Sequence, residues 1–190
     1  MHRRLWLAGM LALALSFFID QWVSAHVVYA RVYDSDGGRL LRVIGFWPTW
    51  VVAALVLWLH EGRTPLARHR ALLLAGSPAV SGIAGELLKL LARRERPSAG
   101  FYVFRPFSHR TFSTSSLSMP SSHTIVAFGA AVILGHLYPR TRWVWFALAA
   151  GCGITRILAH AHFLSDVVAA VLVAFATSTM LWRRWGATSS

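Results

Sequence analysis

Three short groups of residues in the C-terminal half of the chain carry side chains that could bind an oxyanion and move protons. Lysine and arginine attract negative oxygens, and a neutral histidine can act as a nucleophile or a base near physiological pH. Their chemistry predicts a site for an anion with histidines beside it. The groups are Lys89 with Arg96 and Pro97, then Pro120 through His123, then Arg156 with His162 and Asp166.

The middle group has the sequence of a helix start. Ser121 is a candidate N-cap, with Pro120 before it and His123 in the first turn. The first turn of a helix presents unpaired backbone N–H groups and a partial positive charge, which favour a bound oxyanion. Serine, proline and histidine also begin helices for structural reasons alone, so this group is informative only in combination with the other two.

The third group pairs a histidine with an aspartate. His162 and Asp166 are four residues apart, so on a helix their side chains share one face. An aspartate that accepts the Nδ1 proton leaves Nε2 free to attack or to accept a proton. A carboxylate in an apolar segment is costly, and the alternative role for Asp166 is a structural pair with Arg156 or Thr155. We expect His160 to be structural, because on a helix it faces away from His162.

The first group contains the only lysine of the chain. Lys89 lies near the end of an apolar segment, about two turns before Arg96 if the helix continues. This position makes the lysine a candidate ligand for an anion. The alternative is that Lys89 extends to the membrane surface and pairs with Glu86, one turn earlier.

The composition is that of an integral membrane protein. Hydrophobic residues make up 56% of the 190 residues, and the formal net charge is +12. A soluble domain of this length cannot bury several long apolar runs. The arginines are scattered between these runs, which argues against nucleic acid as a partner and favours an anionic lipid or a phosphate. Cys152 is the only cysteine, so no disulfide can form within the chain.

The apolar runs predict an all-α bundle of six transmembrane helices in a single domain, residues 1–190. The first run also has the charge layout of a signal peptide, with a cleavage-like sequence at 23–25, but we expect it to remain as a span because five others follow. Residues 26–42 are typical of a turn-rich loop with a short interfacial helix, and 92–122 form the longest polar segment. The predicted spans are Leu5–Val23, Val43–His60, Ala71–Leu91, His123–Tyr138, Trp143–His160 and His162–Trp182.

Six spans place the three groups of residues on one side of the membrane. The short arginine-bearing segments at 63–70, 139–142 and 183–184 fall on the other side, which the positive-inside rule makes cytoplasmic. We therefore expect an integral protein of a bacterial inner membrane, with the site at the non-cytoplasmic surface.

Taken together, the three groups resemble the tripartite signature of the type 2 phosphatidic acid phosphatase superfamily. Order and internal spacing match from Lys89 to Asp166, as Lys-x6-Arg-Pro, Pro-Ser-Ser-His and Arg-x5-His-x3-Asp. Ser122 stands where the family usually has glycine, and Thr155 where it usually has serine. A serine at a turn with positive φ is strained, yet some isoprenoid-diphosphate phosphatases of the superfamily resemble this chain in having serine there.

The resemblance implies a lipid phosphatase that uses no metal or other cofactor and forms a phosphohistidine intermediate. His162 would attack phosphorus and Asp166 would orient it, while His123 would protonate the leaving oxygen and later activate water. The phosphate would be bound by Lys89, Arg96, Arg156, Ser121 and the backbone amide of Ser122.

The loops are short, which favours a lipid over a large soluble substrate. Phosphatidic acid, phosphatidylglycerol phosphate, an isoprenoid diphosphate and a lipid A phosphate all fit, and Ser122 favours the isoprenoid diphosphate by resemblance. Two other classes remain open. A transporter or scaffold could use Glu86, Lys89 and Asp166 as a polar path, and a vanadium-dependent haloperoxidase shares the anion pocket, although those relatives are soluble.

Overall fold

The computed structural model describes residues 2–108 and 113–186, and over these residues the chain is built of helices, as predicted. Residues 109–112 of the predicted polar segment, and residues 1 and 187–190 of the predicted domain, lie outside the described residues. The α-helices are α1 (His2–His26), α2 (Asp36–Ile44), α3 (Trp47–His60), α4 (Pro65–Ala92), α5 (Ser122–Leu137), α6 (Arg142–Leu158) and α7 (Leu164–Trp185).

Every predicted span contains a helix, but helix length supports fewer crossings than six. Three helices are long and apolar enough to span a membrane, namely α1, α4 and α7, and α2 with α3 makes a fourth if the bent pair counts as one span. The remaining two, α5 with 16 residues and α6 with 17, fall short of the about 20 residues that an isolated membrane helix needs. Three to four candidate spans are therefore what the described residues support.

The predicted second span is not one continuous helix. It breaks between Ile44 and Trp47, where α2 and α3 meet at 74°. Pro48, in the first turn of α3, has no N–H to give to a preceding turn, so it favours a new helix start. Side chains of α3 compensate the lost backbone bonds, because Trp50 Nε1 donates to the carbonyl of Ile44 at 2.9 Å. The short helix expected within 26–42 corresponds to α2.

Helix α5 forms the centre of the bundle. It packs against α4, α6 and α7, and all its residues from Thr124 to Leu134 are buried. A helix that is apolar on every side is stable only when it is surrounded. The outer helices instead expose apolar side chains. In α1, for example, Leu7 and Phe18 are 66% and 84% exposed. An apolar outer surface around a buried central helix is the arrangement expected in lipid.

Hydroxyl groups join the central helix to its neighbours. Ser77 of α4 donates to the carbonyl of Gly129 at 2.9 Å, and it also contacts Ser178 of α7 at 2.8 Å. A side chain on Gly129 would lie 3.0 Å from the Cα of Pro78, so α4 and α5 approach closely here. Small residues and interhelical hydroxyl bonds of this kind hold membrane helices together.

The described parts of the polar segment are ordered by backbone pairing across the end of the bundle. Arg93, in the left-handed region with φ 52°, ends α4. Beyond it, Glu95 N donates to the carbonyl of Val103 at 2.8 Å, and Ser118 N donates to that of Arg94 at 2.8 Å. These bonds fix the segment that carries Arg96 against the start of α5.

Candidate active site

The eight residues singled out from the sequence meet at one end of the bundle. This end is formed by the last turns of α4 and α6 and the first turns of α5 and α7, with residues 93–96 beside them. Direct contacts or electrostatic interactions within this cluster link Lys89, Arg96, Ser121, Ser122, His123, Arg156, His162 and Asp166.

Lys89 is buried and points at the start of α5. Its ammonium donates to Glu86 Oε1 at 3.1 Å and contacts the hydroxyl of Ser122, which donates to the same carboxylate oxygen at 2.6 Å. The ion pair with Glu86, one part of the alternative role, is therefore present, but the lysine is only 4% exposed and does not extend to the surface. The Glu86 side chain is 42% exposed, so the pair lies at the edge of the pocket.

Arg96 and Arg156 bring two guanidinium groups together in partly buried positions. The Nε atom of each is buried and has no hydrogen-bond partner among the described residues. Burial and the nearby charge of Arg156 lower the pKa of Arg96. Arg156 is held from one side by Tyr33, whose hydroxyl accepts from Nη1 at 2.9 Å. Buried donors without partners are costly, and a bound oxyanion would supply both the acceptors and the opposite charge.

His162 lies in the turn between α6 and α7, not on α7 itself. The predicted sharing of one helix face with Asp166 is therefore wrong in detail, because α7 begins only at Leu164. Nδ1 of His162 is 2.9 Å from the carbonyl oxygen of Ser118, whereas the nearest oxygen of Asp166 is 3.7 Å away. A carbonyl can only accept, so Nδ1 carries the proton and Nε2 is unprotonated. Burial lowers the pKa of His162 to about 4, which keeps the ring neutral.

Asp166 is tied to the start of α7 and to an arginine that the sequence did not single out. Its Oδ2 accepts the backbone N–H of Phe163 at 2.8 Å, which caps the helix, and its Oδ1 accepts from Arg94 Nη1 at 3.1 Å. The ion-pair partner of Asp166 is thus Arg94, and neither Arg156 nor Thr155, the two partners of the alternative structural role, is in its place.

Arg94 is the centre of a buried network that sequence reasoning missed. The side chain is completely buried and donates to Asp20 Oδ2 of α1 at 3.0 Å and to Ser165 Oγ at 2.6 Å. Its guanidinium lies over the ring of Phe163, 3.8 Å from the centroid. The available signal was Asp20, an acidic residue within an apolar run. Arg94 itself was one of five arginines in the predicted polar segment and nothing in its spacing distinguished it.

His123 stands in the first turn of α5, as predicted, within electrostatic range of Arg156, His162 and Lys89. The residue before the helix is Ser121, which occupies the N-cap position without a side-chain capping bond and accepts from the Thr124 hydroxyl at 3.0 Å.

Ser122, where the family usually has glycine, is the first residue of α5. It is not among the described residues with positive φ, so serine is accommodated there without backbone strain.

His160 has the structural role expected of it, since its Nε2 is 2.9 Å from the hydroxyl of Ser24 on α1. Across the described ranges no group of three or more histidine, cysteine, aspartate or glutamate residues is placed to hold a metal ion.

Comparison with known proteins identifies a family and several relatives of this chain. The sequence model of a family described as the PAP2 superfamily matches residues 70–189. A lipid A 1-phosphatase of Rhizobium etli is 41% identical over 180 residues, which cover 83% of this chain and 74% of that protein. A lipid A 1-phosphatase of Rhizobium johnstonii is 34% identical over 153 residues, which cover 70% of this chain and 60% of that protein.

A shorter match joins 56 residues to the bacitracin transport permease protein BcrC of Bacillus licheniformis, at 38% identity over 30% of this chain and 28% of that protein. No solved structure matches.

Proposed function

Because the chain belongs to the PAP2 superfamily, we propose that it is a membrane phosphatase that removes a phosphate group from a glycolipid, of the kind represented by the 1-phosphate of lipid A. The observation that carries this function is a pair of guanidinium groups beside a buried neutral histidine, where the Nε atom of each arginine is buried and has no hydrogen-bond partner among the described residues. The named activity of the two Rhizobium relatives supplies the substrate class.

In the proposed reaction, Nε2 of His162 attacks phosphorus. The bond between phosphorus and the lipid oxygen breaks, its electron pair stays on that oxygen, and His123 supplies the proton. A water molecule then gives its proton to His123 and attacks the phosphohistidine, which releases inorganic phosphate and restores His162. Both histidines lie at the same end of α5 and within electrostatic range of each other.

The charge that develops on the transferring phosphoryl group is met by fixed donors. Lys89, Arg96 and Arg156 supply three positive charges, and the Ser121 hydroxyl and the Ser122 amide supply hydrogen bonds at the positive end of α5. In phosphoryl transfer such positioning and electrostatic stabilisation account for most of the catalysis. Substrate binding requires Lys89 to exchange part of its contact with Glu86 for a phosphate oxygen.

Asp166 acts at a distance in this scheme. At 3.7 Å it stabilises the positive charge that appears on His162 as the intermediate forms, while the Ser118 carbonyl keeps Nδ1 protonated. Arg94 balances the carboxylate and, through Ser165 and Asp20, holds the turn that carries His162. Arg94 and Asp20 are positioning residues in this proposal.

We place all six apolar segments across a bacterial inner membrane, with the site at the non-cytoplasmic surface. Helices α4 and α6 end at the site and α5 and α7 begin there, so the four alternate in direction as consecutive spans do. The short α5 is surrounded by other helices, so its ends do not face lipid and it can be shorter than a lipid-exposed span.

Phosphate release by the detergent-purified protein tests the function. Substrates are lipid A with a 1-phosphate, phosphatidic acid, phosphatidylglycerol phosphate and an isoprenoid diphosphate, with His162→Ala as the control. We expect release to be fastest from lipid A and absent in the control. Preference for another lipid would contradict the proposed substrate class but not the proposed reaction.

Release that persists in His162→Ala would remove the nucleophile from the scheme. No release from any lipid by the folded protein would favour a non-enzymatic membrane protein that retains the anion pocket.

A further inference from the structure

A groove lies at the end of the bundle opposite the candidate active site. It has a cavity volume of about 1110 Å³ and runs between α1, α5, α6 and α7. It is lined by the C-terminal part of α5, around Val132 and His136, and by the start of α6 at Arg142. The site uses the other end of each of these helices, so the groove is separate from it.

The walls of the groove are apolar. Leu5 comes from α1, Phe146 from α6, and Leu172 and Phe175 from α7. Such surfaces accept a hydrocarbon chain, and each buried methylene contributes about 0.8 kcal/mol. A small soluble anion would leave these walls without a partner.

Three arginines also belong to the lining, namely Arg142, Arg183 and Arg184. All three are exposed, and the described residues that line the groove include no carboxylate. An apolar helix of another protein would gain nothing from this cluster of positive charge. The combination of an apolar wall and a cationic rim is complementary to one class of molecule, an anionic lipid.

We propose that this groove binds an anionic phospholipid of the surrounding bilayer, with an acyl chain along the wall and the headgroup phosphate on Arg142, Arg183 and Arg184. Basic pockets between membrane helices are known to hold anionic headgroups in this way, and arginine binds phosphate oxygens with two parallel hydrogen bonds. The lipid bound here is a structural partner and is distinct from the substrate at the opposite end.

The competing explanation is that these arginines only set the orientation of the chain in the membrane. The chain contains a matched control for that effect. Arg63 and Arg68 lie between α3 and α4 or in the first turn of α4, at the same end of the bundle, and are exposed like the groove arginines. Neither lines the groove.

The test uses the full chain in micelles of an uncharged detergent. Dioleoyl phosphatidylglycerol and dioleoyl phosphatidylcholine are titrated in parallel, and the bound lipid is counted by native mass spectrometry. The double variant Arg183→Gln with Arg184→Gln is compared with the control Arg63→Gln with Arg68→Gln. We expect the wild type and the control to prefer phosphatidylglycerol and the groove variant to bind it roughly 30-fold more weakly, because each arginine near anionic lipid contributes about 1 kcal/mol.

A second variant addresses the chain-binding part of the proposal. Ala176 lines the groove and is exposed, so Ala176→Phe fills the groove without disturbing the core. We expect it to reduce phosphatidylglycerol binding while the melting temperature without lipid stays unchanged.

Equal losses in the two double variants, unchanged binding in Ala176→Phe, or no preference between the lipids in the wild type would each overturn the proposal.

Discussion

The imidazole of His162 is held by the backbone of a segment 44 residues away, through the carbonyl of Ser118. A carbonyl oxygen can only accept a hydrogen bond, so this contact places the proton on Nδ1. The sequence spacing predicted that Asp166 orients the His162 ring, but this carboxylate is bound to Arg94 and to the start of α7. The two jobs of orienting the ring and stabilising its later charge are therefore divided between Ser118 and Asp166.

A pair of aspartate variants separates structural from catalytic effects at this site. Asp20 and Asp166 are both fully buried and both ion-paired with Arg94, at 3.0 and 3.1 Å. Removing one partner of a buried pair costs about 3–5 kcal/mol, so Asp20→Asn and Asp166→Asn should lower the melting temperature by similar amounts. We expect kcat to fall by orders of magnitude in Asp166→Asn and much less in Asp20→Asn, although the two variants lose similar stability. Equal kcat values in the two stable, folded variants would assign Asp166 a positioning role alone.

The pH dependence follows from the burial of His162. Its pKa falls from 6.5 to about 4 in the folded protein, so the unfolded chain binds the proton more readily. Stability contributed by this group is therefore present above pH 6.5 and is lost as the pH falls toward 4. We expect acid to destabilise the wild type more than His162→Ala over this range, measured by thermal unfolding. A larger acid sensitivity in the variant would contradict a buried neutral ring.

At the scale of helices, the break between α2 and α3 connects the N-terminal half to the site. Gly45 lies at this break, and a Cβ built on it would be 2.6 Å from Cβ of His123 and 2.8 Å from Sγ of Cys152. The glycine is needed because the backbone of one helix end passes directly over the first turn of another. The helix that carries the proposed general acid is thus positioned in part by a residue without a side chain.

Two glycine substitutions in this region should have opposite effects. Gly45→Ala forces α2 and α5 apart, and overpacking of this kind costs about 1–3 kcal/mol. We expect lower stability and a lower kcat, because His123 moves with its helix. A Cβ on Gly37, within α2, would have nothing within 4 Å apart from its chain neighbours and the backbone of its own helix, so Gly37→Ala should leave activity unchanged and stabilise the helix slightly. Unaltered activity in Gly45→Ala would show that the break between α2 and α3 does not help to position His123.

The helices show how much of the fold and of the site a sequence can predict. Apolar runs located six of the seven α-helices among the described residues, whereas α2 corresponds to the short helix expected in the polar loop 26–42. The spacing of three motifs located eight residues that do meet at one end. Local patterns could not reveal that α5 is enclosed by other helices, because enclosure is a property of the neighbours. For the same reason the ion pair between Asp20 and Arg94, which are 74 residues apart, could not be predicted from the sequence. The His162–Asp166 spacing misled in detail because α7 starts two residues after the histidine.

For the molecule as a whole, the two ends of the bundle carry different chemistry. At one end lie Arg96 and Arg156, whose buried Nε atoms have no hydrogen-bond partner among the described residues. The other end carries exposed arginines around an apolar groove. The belt between them is apolar on the outside. In the proposed placement, this difference gives the molecule one orientation in the bilayer, with the reaction at one surface.

Cysteine labelling in intact bacterial cells tests that orientation. The native Cys152 is buried, so it contributes little labelling by itself. Ser108, near the site, and Arg140, at the other end, are exposed. We expect Ser108→Cys to react with a membrane-impermeant thiol reagent in a strain with a permeable outer membrane, and Arg140→Cys to react only after lysis. The reverse pattern would place the site in the cytoplasm.

The contact between Asp20 and Arg94 crosses the boundary of the family match, which begins at residue 70. Tyr33, which holds Arg156, lies outside that boundary as well. The portion that the family model matches therefore makes two of its buried polar contacts with residues that lie before it. In a chimera that joins residues 70–189 to the leading helices of another superfamily member, we expect activity only if the donor helices bring a carboxylate to Arg94 and a hydroxyl to Arg156. The two parts of the chain are therefore expected to evolve together.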